Sequence, residues 1–355
     1  MSTDQPVRLR DVADLAGVSV KTVSNVVHGH PAVSPGMRSK VQDAIEHLGY
    51  QPNISARSLR TGRTGLIGLS VPRISDPYFT ELAAVIIDVA AEHGLSVLLE
   101  QTAGDAAREA EALHGRRPTL IDGLILSPIA LSQQVLDDAS PAIPVVLLGE
   151  HLLASTRSRV AVDNVAASRE AVTHLLGLGR RRIAAIGAKR GSTAATATQR
   201  LLGYHEALER AGVADDPALE VPVANFTWEE GHAAVARLVA SGTPVDALFC
   251  FNDQMALGGM AALREAGRTV PDDIAVVGFD GVVDSSRSRP GLSTVAPDLD
   301  LLARAAVGRL AARLADRTVP EGHSEVVPHT LVVRGSSDPE RAREEEAAAR
   351  VLPNP

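Results

Sequence analysis

The chain has 355 residues, 45% of them hydrophobic, and a formal net charge of −8, more than one ordinary core holds, so two or three domains are expected. No apolar run reaches the length of a membrane span, and the polar N-terminus has no basic start leading into an apolar segment, so a cytoplasmic protein with no membrane partner is expected. A single cysteine, Cys250, excludes an intramolecular disulfide and a multi-thiolate zinc site.

The charge is unevenly spread. Residues 1–62 carry seven Lys and Arg against five Asp and Glu, whereas residues 63–355 carry 28 against 38. This is the sign of a nucleic-acid-binding end on an acidic body, although charge alone decides nothing here.

In chain order, Val12, Leu15 and Ala16 share one face of a first short helix, and Val23, Val26 and Val27 one face of a second, so that each stripe buries the other. Gly17 stands at the turn between them. Ser19 supplies an N-cap oxygen, which leaves Val20, Lys21 and Thr22 in the first turn of the second helix, the part of a helix-turn-helix that meets base edges. A purely structural helical hairpin is the alternative. Ser34-Pro35 reads as the N-cap and first residue of a third helix, whose Val41, Ile45 and Leu48 face the same core until Gly49 stops it. A headpiece over 1–52 follows, too small to bury much apolar area.

Residues 53–64 are expected to form a hinge helix and linker. The run 54–60 is too short for an isolated helix in water. It sets Arg57 and Arg60 beside Leu59, and an apolar wedge flanked by arginines suits a DNA minor groove. A flexible basic linker is the alternative.

Over 65–337 short apolar runs alternate with amphipathic helices. Strands are expected at 66–71, 95–99, 123–126, 145–148, 183–186, 247–251 and 274–277, with helices near 78–92, 166–178, 196–211, 228–240 and 254–265, the pattern of an α/β body with two lobes. Ligands of such sheets sit beyond the carboxyl ends of the strands, which singles out Asn252, Asp253 and Asp280. Their short polar side chains suit sugar hydroxyls. Helix capping by Asn252 or Asp253 and a turn at Asp280-Gly281 are the structural alternatives. Tyr78 and Phe79, opening the first body helix, face either a ligand or a core or dimer interface.

Gly191-Ser192 is no nucleophile elbow, no glycine-rich phosphate loop follows a strand, and the eleven histidines show no metal-ligand spacing. No enzyme activity, metal or cofactor is expected. Residues 338–355 are charged and alanine-rich, a composition compatible with a helix, without leucines at heptad spacing, and a solvated, partly disordered tail is expected there.

Through Asp11-Val12-Ala13, Gly17-Val18-Ser19, Thr22-Val23-Ser24, Gly49-Tyr50-Gln51-Pro52-Asn53 and Ala56-Arg57-Ser58-Leu59, the sequence strongly resembles the lactose/galactose-repressor family. The likeness continues through Leu66-Ile67-Gly68-Leu69, Ser75-Asp76-Pro77-Tyr78-Phe79, Phe251-Asn252-Asp253-Gln254-Met255-Ala256 and Val277-Gly278-Phe279-Asp280. The resemblance implies an all-α helix-turn-helix headpiece with a hinge helix, joined to an α/β two-lobed periplasmic-binding-protein-like body with parallel sheets.

By the same resemblance Val20, Lys21 and Asn25 lie where the family reads bases, and Ser19, Thr22 and Ser24 where it meets phosphates. Leu59 matches the leucine levered into the centre of a pseudo-palindromic double-stranded DNA operator by a homodimer. Asn25 stands where many relatives carry arginine, and Ser55 where many carry an apolar hinge residue. Arg200, Asn252 and Asp280 fall at effector contacts and Phe226 at an aromatic platform. Trp228 competes with Phe226 for that role, and Arg200 also suits a structural ion pair. The implied function is a ligand-responsive regulator, most simply a repressor released by a small sugar. The alternatives are a nucleobase-like or corepressor ligand, or a solute-binding sensor without DNA function.

Overall fold

The structure, a computed structural model, describes residues 7–27, 32–50, 63–114, 120–139, 142–149, 157–188 and 195–351. Arg57, Leu59 and Arg60 of the expected hinge lie outside the described residues. The chain divides into two compact units, Met1–Thr64 and Gly65–Pro355.

The first unit contains α1 (Leu9–Ala16), α2 (Val20–Val27) and α3 (Pro35–Leu48). Gly17 ends α1 with φ +63, a left-handed conformation that glycine adopts freely, and the Val18 N–H then reaches back to the Ala13 carbonyl at 3.0 Å. Ser19 Oγ accepts from the Thr22 N–H at 3.1 Å and starts α2 as an N-cap. Ser34 occupies the corresponding position before α3, but its side chain makes no capping bond; Pro35 at the first turn, with its fixed φ, starts that helix.

Val12, Ala13, Ala16, Val23, Val26, Val41, Ala44 and Tyr50 form the core of this unit. The expected stripe on α1 is shifted. Because α1 rests against both α2 and α3, its buried arc includes Ala13, and Leu15 is left 51% exposed.

Among the described residues the second unit has two six-stranded sheets. Its first half runs β1 (Leu66–Val71), α4 (Pro77–Glu92), β2 (Ser96–Gln101), α5 (Ala106–His114), β3 (Gly123–Leu126), α6 (Gln133–Asp138), β4 (Val145–Leu148) and β5 (Ser158–Val162). The chain continues through α7 (Asn164–Gly177), β6 (Ile183–Ile186), α8 (Ala195–Arg210), β7 (Glu220–Val221), α9 (Trp228–Ala240), β8 (Ala247–Cys250), α10 (Asp253–Glu265), β9 (Ala275–Phe279) and α11 (Val283–Arg287). It closes with β10 (Ser293–Pro297), α12 (Leu299–Ala315), β11 (Ser324–Val327), β12 (His329–Val332) and α13 (Pro339–Val351).

The first lobe has strand order β11-β5-β4-β3-β1-β2 and the second β12-β10-β9-β8-β6-β7. Neighbours pair in parallel except β10 with β12, an antiparallel edge on an otherwise parallel sheet. Strands β3, β4, β6, β8 and β9 are buried throughout, which is why they appear in the sequence as continuous apolar runs.

The chain crosses between the lobes three times, at Asp163, Asp298 and Pro328. Asp163 caps α7 by accepting from the Ala166 N–H at 2.9 Å, and Asp298 caps α12 through the Leu301 N–H at 2.9 Å. The Asp298 N–H donates to the Pro328 carbonyl at 3.1 Å, tying two crossovers together. After the second crossover α12 packs on the first-lobe sheet, where Gly123 leaves room for Leu310: a Cβ at that glycine would lie 2.8 Å from Leu310 Cδ1.

The C-terminal segment forms a helix through Val351, the conformation its alanine-rich composition left open, and most of that helix is exposed. Glu345 on α13 accepts from the Gly291 N–H at 2.6 Å and the Gly335 N–H at 3.1 Å, so one carboxylate anchors the helix to the second lobe. Among the described residues no helix is long and apolar enough to cross a membrane.

Candidate functional site

Two regions contain the described residues singled out by sequence. In the small unit Ser19, Val20 and Lys21 are exposed at the start of α2, with Val20 44% exposed, while Thr22, Ser24 and Asn25 are half-buried along it. Ser19 Oγ also lies 2.8 Å from Thr22 Oγ1, so this turn is locally fixed. An exposed helix start offers unpaired N–H groups to phosphates and presents its first side chains to a groove.

In the body a cavity of about 430 Å³ opens where the carboxyl ends of both sheets meet. Pro72, Ser127 and Gly149 follow β1, β3 and β4 into it, and Phe279 and Pro297 end β9 and β10 there. This is the position at which open parallel sheets hold ligands. All six body residues proposed as ligand contacts line it: Tyr78 and Phe79 from α4, Arg200 from α8, Phe226 before α9, Asn252 before α10, and Asp280 after β9. The Tyr78 and Phe79 rings meet edge to face at 5.2 Å. Trp228 does not join them. It opens α9, two residues after Phe226, where it is 39% exposed and stacks on His232 outside the cavity.

Arg200 is the hub of the second-lobe wall. Its Nε donates to Asn164 Oδ1 at 2.7 Å, its Nη1 donates to the Phe251 carbonyl, and Nη1 lies 3.7 Å from Asp280 Oδ1. Its guanidinium carbon sits 3.5 Å from the Phe279 ring centroid. The structural ion pair is therefore present, on a residue that also lines the cavity.

Asp280 has φ +121, a conformation costly for any residue with a side chain and tolerated where surroundings enforce it. Burial pushes its carboxyl well above the usual range, opposed by Arg200 and reinforced by Asp253, Asp76 and Glu81.

The side chain of Asn252 is committed at both ends, Oδ1 accepting from the Met255 N–H at 2.9 Å and Nδ2 donating to the Phe226 carbonyl at 3.0 Å. It caps α10 and holds the segment that carries Phe226. Asp253 is buried behind it, accepting from the Val282 N–H at 3.0 Å and from Ser285 Oγ and Thr294 Oγ1, each at 2.6 Å.

Burial pushes the Asp253 carboxyl up to about 6 against hydrogen bonds that favour its charged form. Between the ordinary value of 3.8 and about 6 the folded state therefore holds more proton than the unfolded chain. The stability from this group is complete below about pH 4 and is lost as pH rises through about 6. Asp253→Asn is expected to flatten part of that decline, measured as the urea midpoint from pH 4 to 7. An unchanged slope in the variant would count against this assignment.

Other residues of the site were not singled out from sequence. Asp76 lines the cavity and caps α4 through the Tyr78 N–H at 3.1 Å, with its carboxyl raised by burial. The Asp76-Pro77 pair is a readable cap signal. Asn164 carries no comparable signal, since its role depends on Arg200, 36 residues away. Glu109, fully buried, accepts from the N–H groups of Ile129, Ala130 and Leu131 at 2.7–3.0 Å and so shapes the first-lobe wall.

Away from the cavity, His205, Asp215 and Glu220 bring ligand-type atoms within 4.8 Å of one another. The imidazole lies between the two carboxylates, with Nδ1 2.7 Å from Asp215 and Nε2 3.6 Å from Glu220. The cavity itself combines carboxyl, amide and guanidinium groups with aromatic faces, a set that can bind hydroxyl groups at its polar side and C–H surfaces at its rings.

Residues 8–53 match the model described as bacterial regulatory proteins, lacI family, and residues 172–337 match a periplasmic binding protein-like domain. The chain is 35% identical over 327 residues to the ribose operon repressor of Halalkalibacterium halodurans, covering 92% of this chain and 96% of that protein. It is similar to the structure of the lac repressor dimer bound to operator and the anti-inducer ONPF, at 30% identity and a TM-score of 0.79 over 94% of this chain and 99% of that one. A complex of the transcriptional regulator CelR with cellobiose matches at 32% identity and a TM-score of 0.67, over 93% and 100% of the two chains.

Proposed function

The chain belongs to the lacI family of bacterial regulatory proteins, and on that premise we propose that it is a homodimeric repressor that binds a pseudo-palindromic operator and is released by a small sugar. One observation carries the reading: a single chain joins an exposed helix-turn-helix to a cavity lined by residues from two lobes. Val20, Lys21 and Asn25 read bases, and Ser19, Thr22, Ser24, Arg57 and Arg60 hold phosphates. Leu59 supplies the minor-groove wedge. Tyr78, Phe79, Arg200, Phe226 and Asp280 surround the effector, with Asn252 positioning Phe226. The lac repressor structure was solved as a dimer on operator, and the CelR structure holds cellobiose, which supports both partners. The protein works in the compartment that holds the DNA.

Linkage sets the sign. A sugar that prefers the body conformation with separated hinges weakens DNA binding, and DNA weakens sugar binding by the same factor. The test is fluorescence anisotropy with labelled genomic fragments at rising salt, followed by titration of the specific complex with cellobiose, ribose and adenine. Release by a sugar supports the reading. Tightening by a sugar makes the ligand a corepressor, response to adenine alone replaces the sugar, and no specific complex at any salt removes the DNA function.

Leu59→Ala is expected to leave sugar affinity and thermal stability unchanged while lowering specific operator affinity by about tenfold, because the wedge is lost and the phosphate contacts remain. Unaltered operator affinity would remove the hinge model.

A further inference from the structure

A hydrogen bond crosses the cleft between the lobes near the cavity. Glu81, on α4 of the first lobe, accepts at 2.9 Å from the backbone N–H of Val283, the first residue of α11 in the second lobe. α4 brings Tyr78 and Phe79 to the cavity, and Val283 lies three residues after Asp280, so the bond joins two facing walls.

Both ends are mounted on fixed supports. On the Glu81 side, the neighbouring Leu82 and Ile86 of α4 are buried in the first-lobe core. On the Val283 side, Asp253 holds the Val282 N–H and Ser285 Oγ, fixing the residues before and after the donor to the second lobe. Neither partner can follow the other if the lobes turn about the crossovers at Asp163, Asp298 and Pro328. A bond at 2.9 Å does not survive an opening of even a few ångströms.

We propose that Glu81 is a clasp that sets the resting separation of the lobes and so fixes how readily a ligand in the cavity changes it. A hydrogen bond to a carboxylate is strong enough to shift a two-state balance by about tenfold. Its effect on DNA binding rests on the regulator reading above; the clasp itself does not, and its test uses neither sugar nor DNA.

The test places spin labels on the full chain at Leu120→Cys in the first lobe and Leu178→Cys in the second, both exposed positions. The native Cys250 is buried and stays unlabelled. Glu81→Ala removes the acceptor, and Val283→Pro removes the donor. Proline suits this first helical position, and Val282 before it is already extended at φ −65, ψ 155. Each single variant is expected to move the inter-label distance distribution to longer separations, the double variant to add nothing further, and Glu81→Gln, which keeps a carbonyl acceptor, to stay near the parent.

Hydrogen exchange at the Val283 amide should rise about tenfold in Glu81→Ala. The Val282 amide, held by Asp253, should keep its protection, which also shows that the lobe remains folded. Unchanged Val283 exchange overturns the clasp. Faster exchange with parental distances in both single variants overturns its control of lobe separation.

Discussion

Arg200→Ala is expected to destabilise the body by about 3–5 kcal/mol, the loss that follows when one partner of a buried charged pair is removed. The side chain is 10% exposed and holds Asn164, the Phe251 carbonyl, Asp280 and the face of Phe279 at once. Alanine strips two acceptors of their donor and leaves the Asp280 carboxyl buried without its cation. That carboxyl, already pushed upward by burial, should then hold its proton to still higher pH. Arg200→Lys should fall between parent and alanine, because an ammonium keeps the charge but cannot span the Nε and Nη directions together. Urea unfolding measures the stability, and calorimetric titration with the sugar found to release DNA should show binding lost in the alanine variant. A variant within about 1 kcal/mol of the parent would mean that this network contributes little.

The second large effect comes from a residue with no side chain. A Cβ on Gly258 of α10 would lie 2.1 Å from the Trp228 carbonyl oxygen and 2.9 Å from the His232 nitrogen, both backbone atoms of α9. From the other side, a Cβ on Gly231 would lie 2.4 Å from Met255 Cα. The two helices touch backbone to backbone through these glycines, and relief requires moving a whole helix. Gly258→Ala should therefore destabilise by about 3 kcal/mol, the upper range of overpacking, although alanine is the better helix former by about 1 kcal/mol. Gly308 on α12 is the control, with nothing within 4 Å of its added Cβ. There the propensity acts alone, and Gly308→Ala should stabilise by about 0.5–1 kcal/mol. Opposite signs from two helical glycines, read in one denaturation series, test the close approach directly. Equal signs would contradict it.

Much of the body was legible because its parallel strands are covered on both faces. The runs at 123–126, 145–148 and 183–186 coincide with β3, β4 and β6. The exposed edge strand β11 and the short β7 have no such run, and neither was anticipated. α12 buries Leu302, Ala306 and Leu310 against a lobe that its place in the chain does not suggest. The turn and cap of the small unit were local features and could be read locally. Leu15 could not, since its exposure depends on how α1 rests on its two neighbours.

The cavity divides in the same way. Positions after strands, such as Asp280, follow from topology. The commitments of Asn252 to Phe226 and of Arg200 to Asn164 are long-range and have no local signature. Glu109 shows the limit most clearly: within its helix it reads as a surface acid, and only three N–H groups some twenty residues away account for its full burial.

The three crossovers also order events at the ribosome. The helices of the small unit are complete once Leu48 has emerged, whereas the first-lobe sheet lacks its edge strand and its covering helix until Val327 has been made. Leu302, a lining residue of the cavity, belongs to that late helix. A nascent chain therefore holds a finished headpiece long before it holds a receptor, and a chain cut short anywhere before α12 leaves both lobes incomplete.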